Sequence, residues 1–152
     1  MNSLDLQLQL STAATLTSTA GNVAFANVLN QSTVQGHVEN QLDQVGLFIP
    51  FSAVTLSGGS TYQFQVLSDS ASNLTTTQIV VADTGVMTAT DGRLTNSFYI
   101  WLPIPFGTII QQYVGAKYTF ATGSPSMTIG GAWLAPLSAI QNFISYPINY
   151  TP

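Results

Sequence analysis

Cysteine is absent from this chain, and charge nearly so. Without cysteine there is no disulfide framework, no thiol nucleophile and no zinc–thiolate site. Only 5% of the residues are Asp, Glu, Lys or Arg, where ordinary soluble domains carry about 25%. Six acids stand against two bases, Arg93 and Lys117, for a net charge of -4. Phosphate backbones are held by clusters of Lys and Arg, so no direct nucleic-acid partner is expected. Long apolar runs are missing as well. A spanning helix needs roughly 18 or more consecutive apolar residues, and the stretch from Phe98 to Ile110 is broken by Pro103, Pro105 and Gly107. Met1 to Leu10 alternates leucine with polar side chains, without a basic n-region or a continuous apolar segment. No signal peptide and no membrane partner are expected from it.

Catalytic sets are equally scarce. There is one histidine, His37, with Glu39 two residues on. On a strand such a pair faces one side and could share a proton or a metal. A catalytic centre also needs a nucleophile, an orienting group and an oxyanion donor in one pocket, and neither G-x-S-x-G nor H-E-x-x-H occurs. Asp5, Asp43, Asp69, Asp83 and Asp91 are scattered. No pair stands out as the two carboxylates of a glycosidase, and no EF-hand spacing exists. They read as turn and strand-end residues. The expectation is a protein that is not an enzyme and uses no cofactor and no metal.

What the chain does have is Thr, Ser, Gln and Asn, which must carry its solubility. Neutral polar groups cost far less to desolvate than charges, so such a surface suits extensive protein–protein contact. The 152 residues fit one domain. Period-two alternation dominates. Leu4, Leu6, Leu8 and Leu10 alternate with Asp5, Gln7 and Gln9, the pattern of a half-buried strand. Residues 11–22 are small and polar and read as a loop or flexible arm. Val23 to Leu29 is a candidate strand. Val45 to Phe51 is apolar, with Pro50 restricting it to an edge or a bulge. Further strands are expected at Tyr62 to Val66, Thr75 to Ala82, Ser97 to Leu102, Tyr113 to Ala121 and Ser126 to Trp133. Turns are expected at Gly58-Gly59, Ser68 to Asn73, Asp91-Gly92 and Gly123-Ser124-Pro125. No stretch of ten or more residues has a capped helical period. Seven or eight short strands with turns between them predict an all-β fold, an antiparallel β-sandwich or jelly roll over residues 1–135.

Residues 136–152 are different in kind. Pro136, Pro147 and Pro152 punctuate Leu137, Ile140, Phe143, Ile144, Tyr146, Ile148 and Tyr150. Proline at this density opposes regular pairing, so an irregular tail is expected. Its apolar side chains must dock somewhere, either on their own domain or on a neighbour. Leu137, Ile140, Phe143, Ile144, Tyr146 and Tyr150 are the candidate contacts between subunits or with a larger partner. Tyr99, Trp101, Tyr113, Tyr118 and Trp133 offer an alternative reading. Exposed in a row, such rings would stack sugars, as in a carbohydrate-binding or adhesin module; otherwise they are core.

From Tyr62 onward the order of motifs is distinctive. Phe64-Gln65-Val66-Leu67-Ser68-Asp69-Ser70 runs a strand into a Ser-Asp turn, and Thr77 to Val81 follows with the Gly92-Arg93 turn after it. Leu102-Pro103-Ile104-Pro105 ends a strand in a proline pair. Tyr113-Val114-Gly115-Ala116-Lys117-Tyr118 and a Gly-Ser-Pro turn then lead to Met127 to Trp133. In the first half, Ser18 to Val23 adds a Ser-Thr-Ala-Gly-Asn-Val strand start. Over about sixty per cent of its length the chain resembles the capsid decoration, or cement, proteins of tailed bacteriophages, especially short-tailed ones. The resemblance implies a jelly-roll or sandwich subunit. It implies a homotrimer on the outer capsid surface of the virion, near threefold or quasi-threefold axes, that bridges major capsid protein subunits without cofactor or reaction. The proline-punctuated tail departs from that pattern.

Overall fold

A computed structural model of the chain describes residues 9–17, 22–30, 44–95, 98–105 and 111–144, without the side chains of 22, 23 and 141–144. Its strands follow the period-two pattern. In Thr61–Asp69, Tyr62, Phe64 and Val66 are fully buried while Gln63 and Gln65 sit half-buried on the other face. Tyr113–Ala121 repeats the pattern with Val114, Ala116, Tyr118 and Phe120 inward. The two pair antiparallel over nine positions, from Tyr113↔Asp69 to Ala121↔Thr61.

In chain order the elements are β1 (Gln9–Ser11), β2 (Ala14–Thr17), β3 (Asn22–Ala24), β4 (Leu29–Asn30), β5 (Val45–Thr55), β6 (Thr61–Asp69), β7 (Ile79–Asp83), β8 (Met87–Thr88), β9 (Tyr99–Pro103), β10 (Tyr113–Ala121), β11 (Ser126–Ile129), β12 (Ala132–Pro136) and α1 (Leu137–Ile144). The first sheet runs β1-β12-β5-β11-β2, with β9 also on β5; the second runs β3-β10-β6-β7, with β4 on β10 and β8 on β6. The registers show that several segments are collinear. β12 pairs with the start of β5 and β11 with its end. β1 and β2 lie along β12 and β11 in the same way. β3 and β4 share one edge of β10, and β7 and β8 one edge of β6.

Joining each collinear pair leaves eight strands. In chain order the first pairs with the eighth, the second with the seventh, the third with the sixth and the fourth with the fifth. That nested antiparallel pairing, folded into two sheets, is a jelly roll. The core lies between the sheets. Leu47, Ile49, Phe51, Met127 and Leu134 from one side meet Tyr62, Phe64, Val66, Ala116 and Phe120 from the other. Phe51 and Phe64 pack across the gap with ring centroids 6.2 Å apart. Phe64 and Phe120 meet edge-to-face at 6.0 Å, a geometry aromatic rings favour.

Several expectations need correction. Residues 11–22 are not simply a loop. Ala14–Thr17 is a strand paired with β11, with Leu16 buried between exposed Thr15 and Thr17. One leucine and an alanine were too little pattern to read locally; a sheet neighbour supplies the hydrogen bonds. Val23 to Leu29 falls on two short strands with a break over residues 25–28. The strand expected from Thr75 begins only at Ile79, because Thr76 and Thr77 instead donate their amides to Asp69. Pro50 takes, of the two settings expected for it, not the sheet edge but an irregularity inside β5, where the partner changes from β12 to β11 and the register shifts between Phe51 and Ala53. Its carbonyl accepts from Gly130 in the intervening turn, so its missing N–H faces a break in the ladder. The Asp91-Gly92 turn forms, but it joins strands of opposite sheets and makes no hairpin. The tail opens as an eight-residue helix. Pro136 fits the entry to a helix, where its fixed φ is already suitable, and eight proline-free residues follow before Ser145 and Tyr146.

Candidate functional site

The outer face of the first sheet carries an aromatic patch. Phe48, Ala135 and Ile140 form its buried centre, with Tyr99, Trp101, Trp133 and Leu137 packed around them. Phe48 lies 5.8 Å from Tyr99 and 6.3 Å from Trp133, ring to ring. Gly46 makes room for Trp101, since a Cβ there would fall 2.6 Å from the indole. α1 covers part of this patch. The Leu137 amide donates to the Gln44 carbonyl at 2.8 Å, and Ile140, one turn on, is 0% exposed. Ile140 is thus buried on its own domain. Leu137 is half-buried on the same patch. Phe143 and Ile144 belong to α1, whose side chains there are outside the described set, and Tyr146 and Tyr150 lie outside the described residues, as do His37, Glu39, Asp5 and Asp43.

The rings proposed as a sugar platform are brought together only in part. Tyr99, Trp101 and Trp133 share the patch but are partly buried against Phe48. Tyr118 is inward, 5.7 Å from Phe25 and 4.9 Å from Phe120, and burial pushes its hydroxyl pKa up. Phe98, which the pattern did not single out, is 39% exposed and stacks on Tyr99 at 5.0 Å.

The second sheet's outer face is polar. Asp83 accepts from the Gln63 and Gln65 side-chain amides and from the Gly85 backbone. Desolvation pushes its carboxyl up, but these bonds and the positive Lys117 outweigh that and hold it below the usual range. Lys117 is 8% exposed and donates to Gln78 Oε1 at 3.3 Å. Loop residues 70–78 fold over the same face. Leu74, 2% exposed, sits on Gly115, where a Cβ would meet its Cδ1 at 2.5 Å. The loop is organised by Asp69, which is itself 0% exposed. Its carboxylate accepts from the amides of Ala71, Thr76 and Thr77 at 3.0–3.1 Å and from the Thr77 hydroxyl at 3.3 Å. Burial raises its pKa; the hydrogen bonds lower it by more, leaving it below the ordinary carboxylate value. Arg93 pairs with Asp91 through two nitrogens. Those side-chain bonds, with the Arg93 amide, lower the Asp91 carboxyl to about 2.

Charge among the described residues is therefore sparse and mostly engaged by a partner. Five charged side chains fall among the described residues. Asp69 is buried, Asp91 and Arg93 pair, Lys117 is nearly covered, and Asp83 is engaged by amides. Among those residues no group of three His, Cys, Asp or Glu could hold a metal ion. The remaining feature is a cleft of about 370 Å³ along β9, lined by Phe98 to Pro103 on one side and by Asp83, Thr84 and Arg93 on the other.

No family model matches the chain, and no curated protein matches it in sequence. The resemblance to decoration proteins rests on the order of its motifs alone.

Proposed function

We propose that this chain is a capsid decoration protein, a non-enzymatic subunit that binds the outer surface of a phage capsid and bridges major capsid protein subunits. Fold does not choose a function by itself; jelly rolls serve capsids and lectins alike. The observation that carries the reading is the scarcity of charge, 5% of the residues. Among the described residues the few charges are buried, paired or engaged by amides, and the rest of the surface they present is mostly hydroxyls, amides and apolar side chains. Docking such a surface forfeits little ionic hydration. Shell stabilisation then comes from area and valence, because a subunit touching several coat proteins forces rupture to break several contacts together. The sugar-binding alternative needs Tyr99, Trp101 and Trp133 open in a row, and their packing around Phe48 and α1 weighs against it.

The test is to add purified protein to capsid shells of the cognate phage that lack it. Saturable co-sedimentation at a fixed ratio to the coat protein, with a higher shell disruption temperature, is the expected result. Absence of binding to intact shells, together with retention on a glycan array, would move the function to the sugar-binding class.

A further inference from the structure

The edges of a jelly roll are where another chain can add a strand, because they present unpaired N–H and C=O groups. Three of the four edges among the described residues are interrupted. The β1/β2 edge breaks between Ser11 and Ala14, β3/β4 between Ala24 and Leu29, and β7/β8 between Asp83 and Met87. β9 differs. Its five residues pair with β5 in an unshifted register, Pro103↔Gly46 to Tyr99↔Pro50, and residues 98–105 carry no charge. Breaks, bulges and charges are the usual protection of an edge. β9 has only the Pro at its end.

The direction of its free groups can be read off. The Phe98 carbonyl accepts from Phe51, and the Ile104 amide donates to Val45. Alternate residues of a strand point their backbone groups to opposite sides. Ile100 and Leu102 therefore face β5, while Tyr99 and Trp101 aim their N–H and C=O away from it, into the cleft bordered by Asp83, Thr84 and Arg93. A cleft walled by Phe98 and the five residues of β9 offers donors and acceptors at the repeat of an extended peptide.

The chain itself carries such a peptide. After α1 come Ser145-Tyr146-Pro147-Ile148-Asn149-Tyr150-Thr151-Pro152, uncharged, with Tyr146, Ile148 and Tyr150 in period two. With the backbone groups of those three turned to the edge, Pro147 falls on the outward side, where its missing N–H costs no bond. We propose that the edge of β9 receives residues 145–152 of a second copy as an added strand. Reach favours a second copy. α1 packs over β12 and β5, so the segment's own β9 edge lies about two strand spacings away, roughly 10 Å sideways, and below the helix layer as well. Eight extended residues span at most about 29 Å, and that detour consumes about half of them. A neighbour's edge can be met along the full length. Each copy then gives one tail and takes one, a head-to-tail contact that can close into a ring, and three copies is the number that the resemblance to decoration proteins implies. The inference takes only its number of copies from the resemblance and is independent of what the assembly decorates.

The experiment uses full-length proteins. Trp101→Pro removes an outward N–H without deleting a ladder bond, Tyr99→Lys puts a charge on the same edge, and Ile148→Pro disables the tail. Light scattering on a sizing column is expected to give three chains for the wild type and a single 16.1 kDa chain for each variant. Mixing Trp101→Pro, which keeps its tail, with Ile148→Pro, which keeps its edge, is expected to give a two-chain species that neither forms alone. Thermal melts check folding, and if Trp101→Pro does not fold, Tyr99→Lys takes its place in the mixture. A monomeric wild type, a folded edge variant of wild-type mass, or a mixture that stays monomeric would each overturn the inference. A monomer that still saturates capsids overturns the clasp and spares the decoration reading; a trimer that binds none does the reverse.

Discussion

Asp69 shows how one carboxylate can hold a loop. Its oxygens replace a missing ladder for the amides of Ala71, Thr76 and Thr77, so a segment of small polar residues has one conformation. Asp69→Asn is expected to lower the melting temperature, because an amide offers one acceptor oxygen and turns an NH₂ toward backbone donors. The loss should exceed that of Asp91→Asn, whose ion pair is exposed and worth little. Since the folded-state pKa of Asp69 lies below its unfolded value, its contribution is present above about pH 4 and lost as pH falls through the folded value. Melts from pH 6 downward should therefore converge for wild type and Asp69→Asn in acid; a constant gap would contradict the assignment. Gly115→Ala tests the loop's other anchor. The added methyl meets Leu74 and is expected to cost about 1–3 kcal/mol. Combining it with Leu74→Ala should cost less than the two changes summed, as read by denaturant unfolding. In sequence, Asp69 was legible as a turn former but not as a buried hub, because two of its three backbone donors arrive from seven and eight residues away.

At the scale of elements, α1 and β9 divide the first sheet's outer surface between them. An eight-residue helix does not hold together in water on its own, so α1 depends on its footing on Phe48 and Ala135. Ile140→Ala removes that footing. The expected outcome is a red shift of Trp133 and Trp101 emission and loss of amide protection confined to α1, while the sandwich keeps its melting transition. A global loss of stability of about 2–5 kcal/mol, the size of a core truncation, would instead make α1 part of the core. The long strands, Thr61–Asp69 and Tyr113–Ala121, were legible because each alternates strongly. The helix was hidden by the prolines around it, which made the whole segment read as irregular, though its eight residues contain none. β2, at Ala14–Thr17, was hidden because its neighbour supplies what its own side chains do not.

At the scale of the whole molecule, the scarcity of charge makes a prediction about salt. An interface built from amides, hydroxyls and apolar groups should bind capsid shells with nearly the same affinity as salt rises from about 0.05 to 0.5 M, since screening acts on charges. Co-sedimentation isotherms across that range would check it, and a steep fall would point to a charged contact. The core carries the stability. Phe64→Ala, at the centre of rings from both sheets, is expected to cost about 3–5 kcal/mol in a single cooperative transition.

The sequence by itself determined that the chain is all-β, where most strands run, and that its surface is nearly free of charge. These follow from composition and from a period of two, which any short window displays. Tertiary structure alone decided the nested pairing of first strand with eighth, the burial of Ile140 on its own domain, and, among the described residues, the uninterrupted edge at Tyr99–Pro103. Those depend on which strands lie side by side, and a strand's own residues specify its faces but not its neighbours, because backbone hydrogen bonds are alike for every partner.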